Sequence, residues 1–138
     1  MHVTYSPEGG DVQRWSFDPD RVRQSEAELI EKRYGQNWDK FRADVQSGSA
    51  KARRVLLWHL MRRDHHTLRF EDLPDFYTGE LLVEHSADEL AALKDRLMKA
   101  NLSDEDREQM LVALDIEITE ALARGEQIEG KATSNNAD

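Results

Sequence analysis

The chain predicts an α+β fold, mainly helical with a small N-terminal β-hairpin. Three observations carry that reading. Apolar residues alternate on both sides of a Gly-Gly turn near the start, Val55 to Met61 is apolar except for His59, and leucines recur at helical spacing from Leu90 to Leu122. The 138 residues suit one compact helical domain over 1–100 that holds the hairpin. A C-terminal helical hairpin follows, its second arm an amphipathic helix over 101–124, and then a polar tail over 125–138, expected to be disordered.

Residues 2–18 read as the hairpin. Val3 and Tyr5 share one face of the first strand, Trp15 and Phe17 one face of the second, and PEGGD supplies the turn. The Gly9-Gly10 pair tolerates the positive φ that such turns demand. Because two strands alone are marginal in water, the hairpin needs helices or a third strand to pack on. Asp18-Pro19-Asp20 ends the second strand.

Ser25 followed by Glu28 is a capping-box pattern for a short helix through Tyr34, which Gly35 stops. Trp38, Phe41 and Val45 mark a second helix ending at Ser47-Gly48, and Ser49 caps a third from Ala50 to about Arg63. Thr67 to Phe70 reads as a strand that Leu73-Pro74 breaks, and Phe76 to Glu84 holds room for a further strand around Gly79 that would pair with the hairpin. Ser86 and Glu89 form another capping box, opening a helix to about Asn101, and Ser103 opens the last one. The Val55–Met61 block is too apolar for a conventional solvent face, so it is either a central core helix or a surface for docking or self-association.

The net charge of −9 argues against a nucleic-acid partner, since a polyanion is repelled at long range. The charge is uneven: residues 49–66 carry five Lys/Arg against one Asp, and residues 86–138 six Lys/Arg against thirteen Asp/Glu. There is no cysteine, hence no disulfide framework and no thiolate nucleophile. The N-terminal MHVTYSPEGG lacks the regions of a signal peptide, and no apolar run nears the roughly 20 residues of a membrane span. These features lead to an expectation of a soluble intracellular protein.

Catalytic and metal-ligating candidates fare poorly. His65 and His66 point about 100° apart on a helix, and His59 does not lie at the i, i+4 spacing of helical zinc sites. Asp104, Glu105, Asp106 and Glu108 occupy a first helical turn, where acidic residues simply favour the helix dipole. Arg53, Arg54, Arg62 and Arg63 around Trp58 match no recognition motif and are expected to pair with the acidic C-terminal helices or an acidic partner. No phosphate-binding loop, dinucleotide fingerprint or nucleophile elbow is present, so no enzyme and no cofactor are expected.

TYSPEGGDVQRWSFDPD, SAKARRVLLWHLMRRDHHTLRFEDL and GELLVEHSADEL, taken in order over about residues 3–100, resemble the tail assembly chaperones of long-tailed (siphovirus) bacteriophages of actinobacteria. The resemblance implies a viral protein of the host bacterial cytoplasm that binds and solubilises the tape measure protein, gives way to the tail tube protein, and leaves the finished virion. It also implies a longer form of the same product made by programmed frameshifting. Gly130-Lys131 fits a slippery sequence, and the chain would then be the short form.

Under that resemblance the partner-binding residues are Leu111, Leu114, Ile118 and Leu122, with Leu90, Leu93 and Leu97 as a second set. The same leucines equally suit an intramolecular core. The resemblance carries no nucleic-acid or membrane partner and leaves room for a homo-oligomer. Two other roles stay open: a structural head-tail connector or minor tail protein, and a small regulatory, antitoxin-like adaptor.

Overall fold

A computed structural model describes the backbone of residues 1–136 and the side chains of residues 1–125. The elements run β1 (His2–Tyr5), β2 (Gln13–Ser16), α1 (Gln24–Tyr34), α2 (Trp38–Ser47), α3 (Ala50–Met61), β3 (Leu81–Glu84), α4 (Ala87–Lys99) and α5 (Asp104–Asn136). Three 3-10 turns, Pro19–Arg21, Phe70–Asp72 and Thr78–Glu80, fill the links. The sheet is antiparallel in the order β2-β1-β3, so the hairpin finds its third strand beside β1. The fold is α+β and mostly helical, as the patterning predicts.

The hairpin turn depends on both glycines. Gly9 sits at φ +73, and a Cβ on Gly10 would come within 2.9 Å of the Pro7 ring. Val3, Tyr5, Trp15 and Phe17 are all buried, which matches the alternation read from the sequence. After β2, the Asp18 carboxylate accepts from the Asp20 amide at 3.0 Å, and Pro19 opens the 3-10 turn.

The chain divides into two compact units, residues 4–83 and residues 1–3 with those from 84 onward. In the first, α1 and α2 pack on α3 and on each other. Val55, Leu56, Leu57 and Leu60 are fully buried, and Trp58 and His59 between them nearly so, which makes α3 a central core helix. Ser49 caps it through the Ala52 amide. Gly35 and Gly48 close α1 and α2 in the left-handed region, at φ +87 and +93. Tyr34 stacks edge-on against Phe41 and donates its hydroxyl to Asp44, which Lys40 also reaches at 3.0 Å.

Two local expectations need correction. Ser25 does not cap α1; Arg23 holds the N-cap without a side-chain hydrogen bond, and Ser25 lies inside the first turn. Thr67 to Phe70 is not a strand. The chain turns there because the Leu68 carbonyl accepts from Trp58 Nε1 at 3.0 Å and Phe70 packs edge-on against the same indole, leading into a 3-10 turn. The strand expected within residues 76–84 is present as β3 and pairs with the hairpin through β1, with Gly79 in the 3-10 turn just before it.

In the second unit, Ser86 and Glu89 form the predicted reciprocal capping box. Here α4 groups with α5, so the division falls near residue 84 where the sequence places a boundary near 100. The disordered tail expected over 125–138 falls mainly on the end of α5. The helix runs through Asn136; no proline follows Gly125, and the glycines there weaken a helix without blocking it. The rest of that expectation lies outside the described residues.

Candidate interaction surfaces

The α4–α5 hairpin is antiparallel, and its register can be read from pairs along its length. Arg124 reaches Glu84 at 3.0 Å and the His85 carbonyl at 3.3 Å, Lys94 reaches Asp115 at 2.7 Å, and Arg107 donates to the Ala100 carbonyl at 2.8 Å. At its base Glu89 accepts from the Met1 ammonium. Burial raises the Glu89 pKa, but that ammonium and the Ser86 amide more than offset it, and the carboxyl stays below its usual range.

The structure brings the seven sequence-predicted contact residues to this hairpin with unequal roles. Leu90 is 1% exposed and belongs to the core. Leu93, Leu97, Leu111, Leu114 and Ile118 are half-buried, on the faces that the two helices turn to each other. Two helices cannot cover each other's stripes completely, so these side chains serve the hairpin and still show an edge. Leu122 is 56% exposed at the margin, and Ala121, one residue earlier, is the buried one.

Sequence reasoning missed the more open apolar residues. Met98 and Met110 are about half exposed and lie at the same level of the hairpin. Val112 and Ile116, 58% and 57% exposed, lie one turn apart on a face of α5 that the leucine stripe does not use. The signal was present: apolar residues that do not fit the dominant stripe of a helix must go elsewhere. Glu105, Asp106, Glu108, Glu117 and Glu120 are exposed and form no ion pair among the described residues. The result is an acidic helix with apolar strips along it.

The basic residues of α3 are mostly engaged within their own unit. Arg53 donates to the Val45 carbonyl at 3.0 Å. Arg62 stacks on Trp58, Arg33 lies beside the edge-on Trp58–Phe70 pair and within reach of both rings, and Arg54 also lies over Phe70. Of the four arginines around Trp58, Arg54 and Arg62 lie over rings, Arg53 and Arg63 donate to backbone carbonyls, and Arg62 also has Glu26 at 3.7 Å.

At the end of α3 the basic side chains open onto a cleft of about 530 Å³. Its floor includes His59, 8% exposed, whose Nδ1 lies 3.6 Å from Glu26 Oε2, too long for a hydrogen bond. Burial pushes the His59 pKa below the ordinary histidine value; Arg63 and Arg62 act the same way and Glu26 opposes them. Among the described residues no group of His, Cys, Asp and Glu is placed to hold a metal ion, and no helix is long and apolar enough to cross a membrane.

Comparison with family models, with curated proteins and with solved structures returns no match to this chain.

Proposed function

We propose that this protein is a non-enzymatic tail assembly chaperone of a long-tailed bacteriophage, acting in the host cytoplasm. It holds the tape measure protein soluble until tail tube subunits, and a longer frameshifted form of the chaperone, take part in assembly. The sequence resemblance supplies the partner. The observation that supports the reading is the α4–α5 hairpin, which presents Met98, Met110, Val112, Ile116 and Leu122 along an acidic helix. A long helical client exposes apolar stripes that aggregate. Apolar strips can cover such stripes, while the surrounding carboxylates add charge that keeps the complex dispersed.

The test is co-expression with a candidate tape measure protein, a long helical polypeptide, followed by affinity capture and a solubility assay. The client should be soluble only in the presence of the chain, and Val112→Asp with Ile116→Asp should abolish rescue without lowering the melting temperature. If no complex forms and the chain is found by mass spectrometry in purified particles, the head-tail connector reading replaces this one.

A further inference from the structure

The cleft at the end of α3 has features that its structural role leaves unused. Arg21 and Arg23, from the 3-10 turn and the N-cap of α1, and Arg62, Arg63 and His66, from the end of α3, line it together with His59. Two carboxylates, Asp18 and Glu26, also line it, so the charge from its arginines and acids is +2 within a chain of −9. Of the cations, Arg62 has Glu26 at 3.7 Å and the Trp58 ring, and Arg63 donates through Nη1 to the Ser16 carbonyl at 2.9 Å. Arg21 and Arg23 are exposed and form no ion pair among the described residues.

His59 adds an unsatisfied group to the same cleft. Its Nδ1 is buried in the cleft floor and makes no hydrogen bond among the described residues. A buried polar atom without a partner is costly, and the Glu26 carboxylate beside it, at 3.6 Å, stops short of a hydrogen bond, so the floor of the cleft is left imperfectly satisfied. The α1 N-terminus, with no side-chain cap, adds its positive end beside Arg23.

We propose that this cleft is a binding site for a small phosphorylated molecule, held through its phosphate oxygens. A planar carboxylate is satisfied by one guanidinium fork, whereas a tetrahedral dianion accepts from several donors at once, as cations arriving from two separate elements provide. The volume lies in the range of small-molecule sites. A nucleic-acid strand fits less well, because Trp58 is buried and both Arg33 and Arg62 already stack on it, leaving no platform for bases. The site stands apart from the chaperone reading and does not depend on it.

Isothermal titration of the full chain with inorganic pyrophosphate at low ionic strength tests this. The expected result is saturable one-to-one binding that Arg21→Ala with Arg23→Ala weakens by about ten-fold or more, as expected for loss of charge-assisted hydrogen bonds. Arg96→Ala with Lys99→Ala, which makes the same change in net charge on α4, should leave binding unchanged. ATP binding more tightly than pyrophosphate assigns the phosphate to a nucleotide, and equal affinity assigns it to the free anion. Absence of saturable binding, or equal weakening by both double variants, overturns the proposal. So does a glutamate-rich peptide that binds more tightly than pyrophosphate and displaces it, since the cleft would then serve an acidic polypeptide.

Discussion

Lys94 Nζ lies 2.7 Å from Asp115 Oδ1, joining the middle of α4 to the first half of α5. Both side chains are well exposed, so the pair sets register more than it adds stability. Lys94→Ala should cost no more than about 1 kcal/mol, and less in high salt. Leu90→Ala removes a fully buried side chain from the same hairpin and should cost about 2–5 kcal/mol. Urea denaturation of the two variants, at low and high salt, checks the contrast.

The apolar strips separate into residues that hold the hairpin and residues that do not. Val112→Asp with Ile116→Asp, both on an exposed face, should shift stability by about 0.5 kcal/mol or less. Leu114→Asp with Ile118→Asp places charge on the half-buried stripe between α4 and α5 and should visibly lower the melting temperature. Circular dichroism melts decide which pair is fit for testing partner binding.

Gly35 and Gly48 end their helices at φ +87 and +93. Nothing lies within 4 Å of a Cβ built on Gly48, so the penalty there is conformational alone. Gly48→Ala should cost about 1 kcal/mol by denaturant unfolding, and Gly48→Asn distinctly less, because asparagine tolerates the left-handed region.

Trp58 Nε1 donates to the Leu68 carbonyl at 3.0 Å and thereby holds the chain that leaves α3. Trp58→Phe keeps a ring for Arg33 and Arg62 to stack on but leaves that carbonyl without its donor. A loss of about 1–2 kcal/mol is expected. Amide hydrogen exchange should rise in residues 65–72 before the core of α3 responds.

His59 is buried with its pKa lowered by burial, with Arg63 and Arg62 acting the same way and Glu26 opposing. His2 is lowered too, by burial first and then by the chain-terminal ammonium and Arg124, against Glu84 and Glu89. A lowered histidine binds fewer protons in the folded state than in the unfolded one. Stability is therefore full above the unfolded value near 6.5 and falls as pH drops from there toward the lowered folded values. Melting temperatures taken between pH 7.5 and 5 should decline, and His59→Gln should reduce the slope.

The helices were legible because local chemistry decides them. The Ser86/Glu89 box, the Ser49 cap and the glycines after Tyr34 and Ser47 are satisfied by neighbours within a few residues, so their geometry follows from sequence order. Thr67–Phe70 was not legible. Its residues alternate like a strand, but the Trp58 indole captures the Leu68 carbonyl from ten residues away and the ladder partner a strand needs is absent.

The sequence by itself determined the α+β class, the helices other than the end of α5, the turn at Gly9-Gly10 and the leucine stripe of the C-terminal helices. Each is carried by periodicity, capping or a backbone angle, all short-range. Only the tertiary structure decided that Val55 to Leu60 is buried all round, that Arg54 and Arg62 stack on rings, and that Val112 and Ile116 stand open while Leu90 is enclosed. An apolar side chain gains by leaving water against any apolar neighbour. Hydrophobicity therefore marks a residue for burial, and which surface covers it is settled when distant elements meet.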